Sequence, residues 1–236
     1  MKVVILAGGF GTRICEESYD KPKPMIPLGG IPIIVHIMNF YAAQGYKDFI
    51  VCGGYRHEVL DEYFKDFSNY NVQVVDTGLN TMTGGRIKRI KEYLPENEPF
   101  FMTYGDGVSN IDLSKLLAFH KKHKHLATMS AVKIQQRFGI IKLKKNGLVK
   151  EFKEKIEKDG PIINGGFMVL EPKIIDYIEG DSSSFERDTL EKVADMKQLD
   201  AYMHDGFWMC MDTLREKNEL EDLWKKGNAP WKIWKD

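Results

Sequence analysis

The stretch that decides the fold is VVILAGGFGTR, residues 3–13. Val3 to Ala7 form an unbroken apolar run, too short for a helix and without polar alternation. Such a run predicts a strand over residues 2–7 that is buried on both faces, as in a parallel sheet. It stops abruptly at Gly8-Gly9-Phe10-Gly11-Thr12-Arg13. Glycines at 8, 9 and 11 allow backbone N–H groups to approach an anion closely, and Arg13 adds a planar cationic fork suited to a polyphosphate. A plain strand-to-loop turn with an exposed arginine is the other reading of the loop alone. Two better-known phosphate fingerprints fail here. The dinucleotide pattern GxGxxG breaks at Ile14, and no acidic residue ends a strand about 20 residues on. The P-loop pattern fails because no Lys-Ser or Lys-Thr follows the glycines.

Working outward, β-α units repeat. Strands are expected at 49–52, 72–75 and 100–104, and helices at 33–44, 57–64, 86–93 and 113–122. Gly45 stops the first helix and Gly85 precedes the third. This alternation predicts an α/β fold with a mostly parallel, doubly wound, Rossmann-like central sheet, in which ligands bind beyond the carboxyl ends of the strands. Gly8 to Arg13, residues 77–85 and Gly105-Asp106 all fall at such ends. The second half is more mixed. Strands are expected at 128–134, 201–204 and 207–211, a hairpin at 139–143 and 149–152 around Asn146-Gly147, and helices at 173–178, 185–197 and 214–225. A strand over 162–170 carries Asn164-Gly165-Gly166, which suggests a bulge or a close ligand approach. No internal repeat or Pro/Ser-rich linker interrupts the chain. We therefore expect one domain over residues 1–236, with a first half at 1–125 that carries the glycine loop and a smaller mixed lobe at 126–236.

Composition narrows the partners. The chain has 236 residues with 34 Lys+Arg against 34 Asp+Glu. The balance argues against a general nucleic-acid or membrane-surface binder, which would carry a basic excess. Three scattered cysteines make neither a disulfide framework nor a zinc motif. The first residues lack a signal-peptide pattern, and no apolar stretch approaches the ~20 residues of a membrane span. A cytoplasmic protein is the expectation.

Further residues carry chemistry. In Lys21-Pro22-Lys23-Pro24 the prolines hold the segment extended, so an ammonium there loses less freedom when aimed at a phosphate; a solvated turn is the alternative. Asp106, between two glycines after an apolar strand, is well placed to hold Mg²⁺. Such an ion wants a second carboxylate, and Asp212 follows another apolar run. Asp212 is equally readable as the N-cap of the helix that begins near Leu214. Glu154-Lys155 and Asn164-Gly165 could bind sugar hydroxyls and a phosphate, or be an exposed ion pair and a strand irregularity.

Taken together in this order, LAGGFGTR (6–13), KPKPM (21–25), MTGGRIKR (82–89), TYGDGV (103–108), RFG (137–139), EK (154–155), INGGF (163–167), GFW (206–208), MDTLR (211–215) and APWK (229–232) resemble the sugar-1-phosphate nucleotidylyltransferases. The resemblance runs nearly end to end and is nearest to the cytidylyl branch acting on glucose 1-phosphate. It implies a glycosyltransferase-A-like nucleotidyltransferase fold with a nucleotide-binding half at 1–125 and an acceptor-binding half at 126–236, CTP and a sugar 1-phosphate as substrates, Mg²⁺ as cofactor and a homo-oligomer. It also assigns residues. Leu6, Ala7, Gly8, Gly9, Gly11, Thr12 and Arg13 would hold the nucleotide with Lys23, Thr81, Gly85, Arg86 and Gly105. Arg13, Lys23 and Asp106 would be catalytic, Asp106 and Asp212 metal ligands, and Glu154, Lys155, Asn164 and Gly165 the sugar-phosphate contacts. The chain departs from the family pattern in a short segment at 65–71, in Ile156 where proline is usual, and in Ile134-Gln135-Gln136. Another nucleotide or acceptor phosphate is the alternative within enzymes, and a nucleotide-sugar-sensing homologue the alternative outside them.

Overall fold

A computed structural model of the chain describes residues 1–134, 139–154 and 160–235. Strand β1 (Val3–Leu6) leads into the glycine loop, a single 3₁₀ turn and the short helix α1 (Cys15–Ser18). A small hairpin of β2 (Pro27–Leu28) and β3 (Ile31–Pro32) precedes helix α2 (Ile33–Ala43). Then come β4 (Asp48–Gly53), α3 (His57–Phe64), β5 (Asn71–Asp76), α4 (Thr83–Arg89), β6 (Phe100–Tyr104), β7 (Gly107–Ser109) and α5 (Leu113–His123). The second half runs through β8 (Ala127–Lys133), the hairpin β9 (Ile140–Leu143) and β10 (Val149–Lys153), and then β11 (Ile162–Asn164) and β12 (Met168–Leu170). It closes with α6 (Glu191–Asp195), β13 (Leu199–His204), β14 (Trp208–Cys210) and α7 (Leu214–Lys225).

The central sheet has the order β5-β4-β1-β6-β12-β8-β13, with β11 prolonging the β12 edge of β8. β12 is antiparallel to both its neighbours, whereas the β1–β4, β1–β6, β4–β5 and β8–β13 pairings are parallel. The doubly wound expectation therefore holds, and its cause is visible in β1. Val3 and Ile5 pack into one core with α2, α3, α5 and α7. Val4 and Leu6 pack into the other with α4, α6 and residues 174–178. All four strand residues are buried, so an unbroken apolar run is the physical requirement.

Several local expectations need correction. Helix α4 begins at Thr83, not after Gly85, and so contains both glycines. The N–H groups of Gly84 and Gly85 donate to the Ser183 carbonyl, at 2.9 and 3.3 Å. A Cβ on Gly84 would stand 2.7 Å from that oxygen, and one on Gly85 2.6 Å from the Asp181 Cα. Here glycine admits a neighbouring backbone that satisfies the otherwise orphaned donors of a first turn. Residues 172–177 form a 3₁₀ helix. The expected helix over 185–197 opens as a π turn, Phe185–Leu190, and ends at Asp195. Strand β14 does not enter the central sheet but pairs with β7. The second half contributes β8, β11, β12 and β13 to that sheet, and the β9–β10 hairpin is a separate two-stranded sheet.

The irregularity at Asn164-Gly165-Gly166 is a two-residue bulge. Ile162 to Asn164 pair with Lys133 to Ala131, and Val169 and Leu170 pair with Thr128 and Ala127. Gly166 and Phe167 take positive φ, 73° and 33°. Phe167 is held there by burial and by contacts with Phe40 and Tyr41.

Candidate active site

At the carboxyl ends of β1 and β6, and beside the segment that follows β5, lies a cavity of about 500 Å³. Leu6, Ala7, Gly8, Gly9, Gly11, Thr12, Arg13, Lys23, Thr81, Arg86, Gly105 and Asp106 all line it, as sequence reasoning expected. Gly85 does not line it and serves instead the close packing of α4 described above. Phe10, Pro24, Leu79, Asn80, Met82, Thr83 and Tyr104 also line it and were missed. Met82-Thr83 and Tyr104 sit inside motifs already singled out, so adjacency was the available signal.

The glycine loop is shaped from below. Gly11 has φ +64°, and Ser18 Oγ donates to the carbonyls of Gly11 and Ile14. Lys217 of α7 pairs with Glu17 at 2.6 Å and ties α1 to the far end of the chain. The Arg86 guanidinium is buried and donates to the carbonyls of Gly8, Gly53 and Gly78 and to Thr77 Oγ1, at 2.8–3.0 Å. It thereby clamps the ends of three strands together. Burial moves its pKa downward, opposed by Cys52 and Asp76. Burial also holds the Cys52 thiol up at about 12.

At the mouth stands a four-charge cluster. Lys23 Nζ lies 2.5 Å from Asp106 Oδ2 and 2.5 Å from Asp212 Oδ1, and Arg13 Nη1 lies 2.7 Å from Asp212 Oδ2. Pro22, with φ −68° and ψ 148°, aims a one-turn 3₁₀ helix over Lys23–Met25, and Lys23 itself is buried. Burial pulls the Lys23 pKa down, but the two carboxylates outweigh it and raise the pKa above its ordinary value. Asp212 is shifted the opposite way: burial raises its pKa, and the Lys23 and Arg13 charges more than reverse this.

The two aspartates meet because β7 and β14 pair, Cys210 opposite Gly107, and the Met211 N–H donates to the Asp106 carbonyl at 2.8 Å. Asp212 is not the helix cap. Thr213 is, in a capping box whose Glu216 accepts from the N–H groups of Asp212 and Thr213. With the cap supplied next door, the Asp212 carboxylate is free to face Lys23.

On the acceptor side, Asn164 stands next to the cavity wall. Its Nδ2 donates to the Tyr104 hydroxyl at 3.4 Å, and its Oδ1 accepts from the Gly166 N–H at 2.9 Å. The Gly165 carbonyl accepts from Trp208 Nε1 at 2.7 Å. Glu154 is exposed at the base of the β9–β10 hairpin and does not line the cavity. Lys155, Ile156 and Gln135 to Phe138 lie outside the described residues.

The nucleotidyl transferase family model matches residues 2–236. The chain belongs to this family. Glucose-1-phosphate cytidylyltransferase of Salmonella typhimurium is 46% identical to it, over 99% of this chain and 100% of the relative. A probable glucose-1-phosphate cytidylyltransferase of Bacillus subtilis is 37% identical over the same shares. Both alignments span 257 positions against a chain of 236 residues, so these relatives carry residues this chain lacks. The crystal structure of HddC from Yersinia pseudotuberculosis complexed with GMP-PN superposes with a TM-score of 0.73 at 28% identity, covering 94% of this chain and 99% of the other. Among the described residues, no helix of this nucleotidyl transferase is long and apolar enough to cross a membrane.

Proposed function

We propose that this nucleotidyl transferase moves a cytidylyl group from CTP to α-D-glucose 1-phosphate, releasing pyrophosphate and CDP-glucose. The observation that carries the reading is the cluster at the cavity mouth, where Lys23 is held between Asp106 and Asp212 beside the glycine loop. End-to-end similarity to two relatives named for this reaction supports the choice of base and sugar.

The residues divide the work. Leu6, Leu79 and Met82 offer apolar wall to a base, the last two as half-exposed side chains that gain from being covered. The Gly8–Arg13 loop and the Arg13 fork suit the outer phosphates. Lys23 stays an ammonium at any working pH, because its pKa is raised, and it faces the α-phosphate. The acceptor is already anionic at neutral pH, so no Ser, Cys or His nucleophile is required. Its phosphate oxygen bonds to the α-phosphorus as the bond to the pyrophosphate oxygen breaks. Bringing two anions together is the main obstacle, so catalysis is positioning and charge neutralisation. Asn164 and Gly165, with Glu154 and Lys155, hold the sugar phosphate in this reading.

The donor set fits Mg²⁺: two hard carboxylates, from the ends of two different strands, converge on one cationic centre. Asp106 and Asp212 would hold the ion, which would supply neutralisation of the triphosphate charge.

We place the chain in a homo-oligomer, joined through a second copy of itself. Ile141 pairs with Phe152 and Leu143 with Val149 across the β9–β10 hairpin. All four are exposed, on the face opposite the Lys142–Glu151 ion pair. A two-stranded hairpin gains stability by covering such a face.

The test is pyrophosphate release with Mg²⁺, each common NTP and a panel of sugar 1-phosphates. Release confined to CTP with glucose 1-phosphate is expected. Release only with another pair overturns the specificity, and no release with any pair overturns the reaction.

A further inference from the structure

Glu186 sits in the π turn Phe185–Leu190, away from the four-charge cluster. Its carboxylate collects three hydroxyl donors. Tyr104 donates to Oε1 at 2.7 Å, while Thr83 and Ser184 donate to Oε2 at 2.7 and 2.9 Å. Capping of the turn does not require it. Ser184 Oγ accepts from the Arg187 N–H, and Asp188 accepts from the Ser184 N–H. Two of the three donors, Thr83 and Tyr104, line the nucleotide cavity.

Because the Tyr104 O–H donates to Glu186, its lone pairs are left to accept, and Asn164 Nδ2 donates to it. The other end of the Asn164 amide is fixed by the Gly166 N–H. The amide plane is therefore set at both ends, and among the described residues one Nδ2 hydrogen is left for a ligand. Release Tyr104 from the carboxylate and its hydroxyl can turn, so that Asn164 loses the contact that defines its orientation. The low dielectric keeps the phenol in its donor form: burial, and then the Glu186 charge, raise its pKa.

We propose that Glu186 is a positioning residue for the acceptor, acting through Tyr104 on Asn164 while anchoring Thr83 on the nucleotide side. The proposal rests on the assignment of Asn164 to the sugar phosphate made above. A single carboxylate then couples the two substrate positions without touching either substrate.

The experiment is steady-state kinetics of Glu186→Gln, Tyr104→Phe and the double variant with CTP, glucose 1-phosphate and Mg²⁺, alongside circular dichroism and melting curves. Gln keeps the size of the side chain but turns one acceptor oxygen into a donor. Each single variant should raise KM for glucose 1-phosphate about tenfold, the loss of one hydrogen-bond alignment, with kcat within about twofold. The double variant should be no worse than the more affected single one, because both cut the same relay. Folded variants with unchanged KM for the acceptor overturn the proposal, as do penalties that add. A wild-type enzyme inactive with every substrate pair instead overturns the transfer reading itself. An active wild type with unaltered variants overturns only the role of Glu186.

Discussion

Replacing Lys23 by Met removes the cation between two carboxylates and keeps most of the side-chain volume. Both aspartate oxygens sit 2.5 Å from the same Nζ, so they are separated by no more than about 5 Å, and at an effective dielectric of about 20 two unit charges at that distance repel by about 3 kcal/mol. The side chains of Asp106 and Asp212 are 26% and 18% exposed and Arg13 stays paired with Asp212, so water and the guanidinium screen part of this and about 2 kcal/mol is expected. For a chain of this length that lowers Tm by about 4–8 °C. A divalent cation should restore the missing charge in place. Thermal melts of Lys23→Met in EDTA and in millimolar Mg²⁺ should therefore differ by most of the deficit. Wild type, already neutralised by Lys23, should shift much less. A variant as stable as wild type in EDTA, or a deficit that Mg²⁺ leaves untouched, would refute the electrostatic reasoning.

Other outcomes follow from the same structure. His36 is fully buried between Leu28 and the ring of Trp231, and burial holds its pKa down at about 4. The unfolded chain thus binds a proton that the folded one refuses. The associated stability, about 3 kcal/mol, is intact above pH 6.5 and is lost as pH falls towards 4; denaturant titrations followed by tryptophan emission at pH 7 and pH 4.5 measure it, and a flat profile counts against it. Gly8→Ala would place a Cβ 2.2 Å from Arg86 Nη1, displacing the clamp, and should cost about 2 kcal/mol or more of stability and weaken nucleotide binding as read by calorimetry. Leu143→Lys with Phe152→Lys should reduce the mass seen by light scattering without changing the circular dichroism; an unchanged mass excludes the hairpin as the contact.

Much of this was legible because the relevant signals are local. The run from Val3 to Leu6 could only be a strand buried on both faces, and the helices at 57–64 and 214–225 are found at those bounds. The glycine loop and Asp106 declared themselves by following apolar strands. What could not be read depends on contacts distant in sequence. Gly85 reads as a residue just before a helix, yet the backbone of residues 181–183 draws both Gly84 and Gly85 into the helix's first turn. Asp212 and Thr213 are both acceptable caps, and only the reach of Glu216 and the β7–β14 pairing decides between them. Glu186 carries no motif at all, since its significance lies in three hydroxyls on separate segments. The resemblance gives Arg86 to the nucleotide and it does line the cavity, but no local signal shows that its guanidinium also bonds carbonyl groups of three strand ends.

The β7–β14 pairing also sets an order of events during synthesis. The cavity residues, the glycine loop and Asp106 all leave the ribosome well before Cys210 can meet Gly107. Until then Lys23 has a single carboxylate partner, and the loop lacks the Lys217 tie to Glu17. A nascent chain that has already collapsed around β1, β4 and β6 thus carries a cavity whose mouth is only half built, and the last strand completes it.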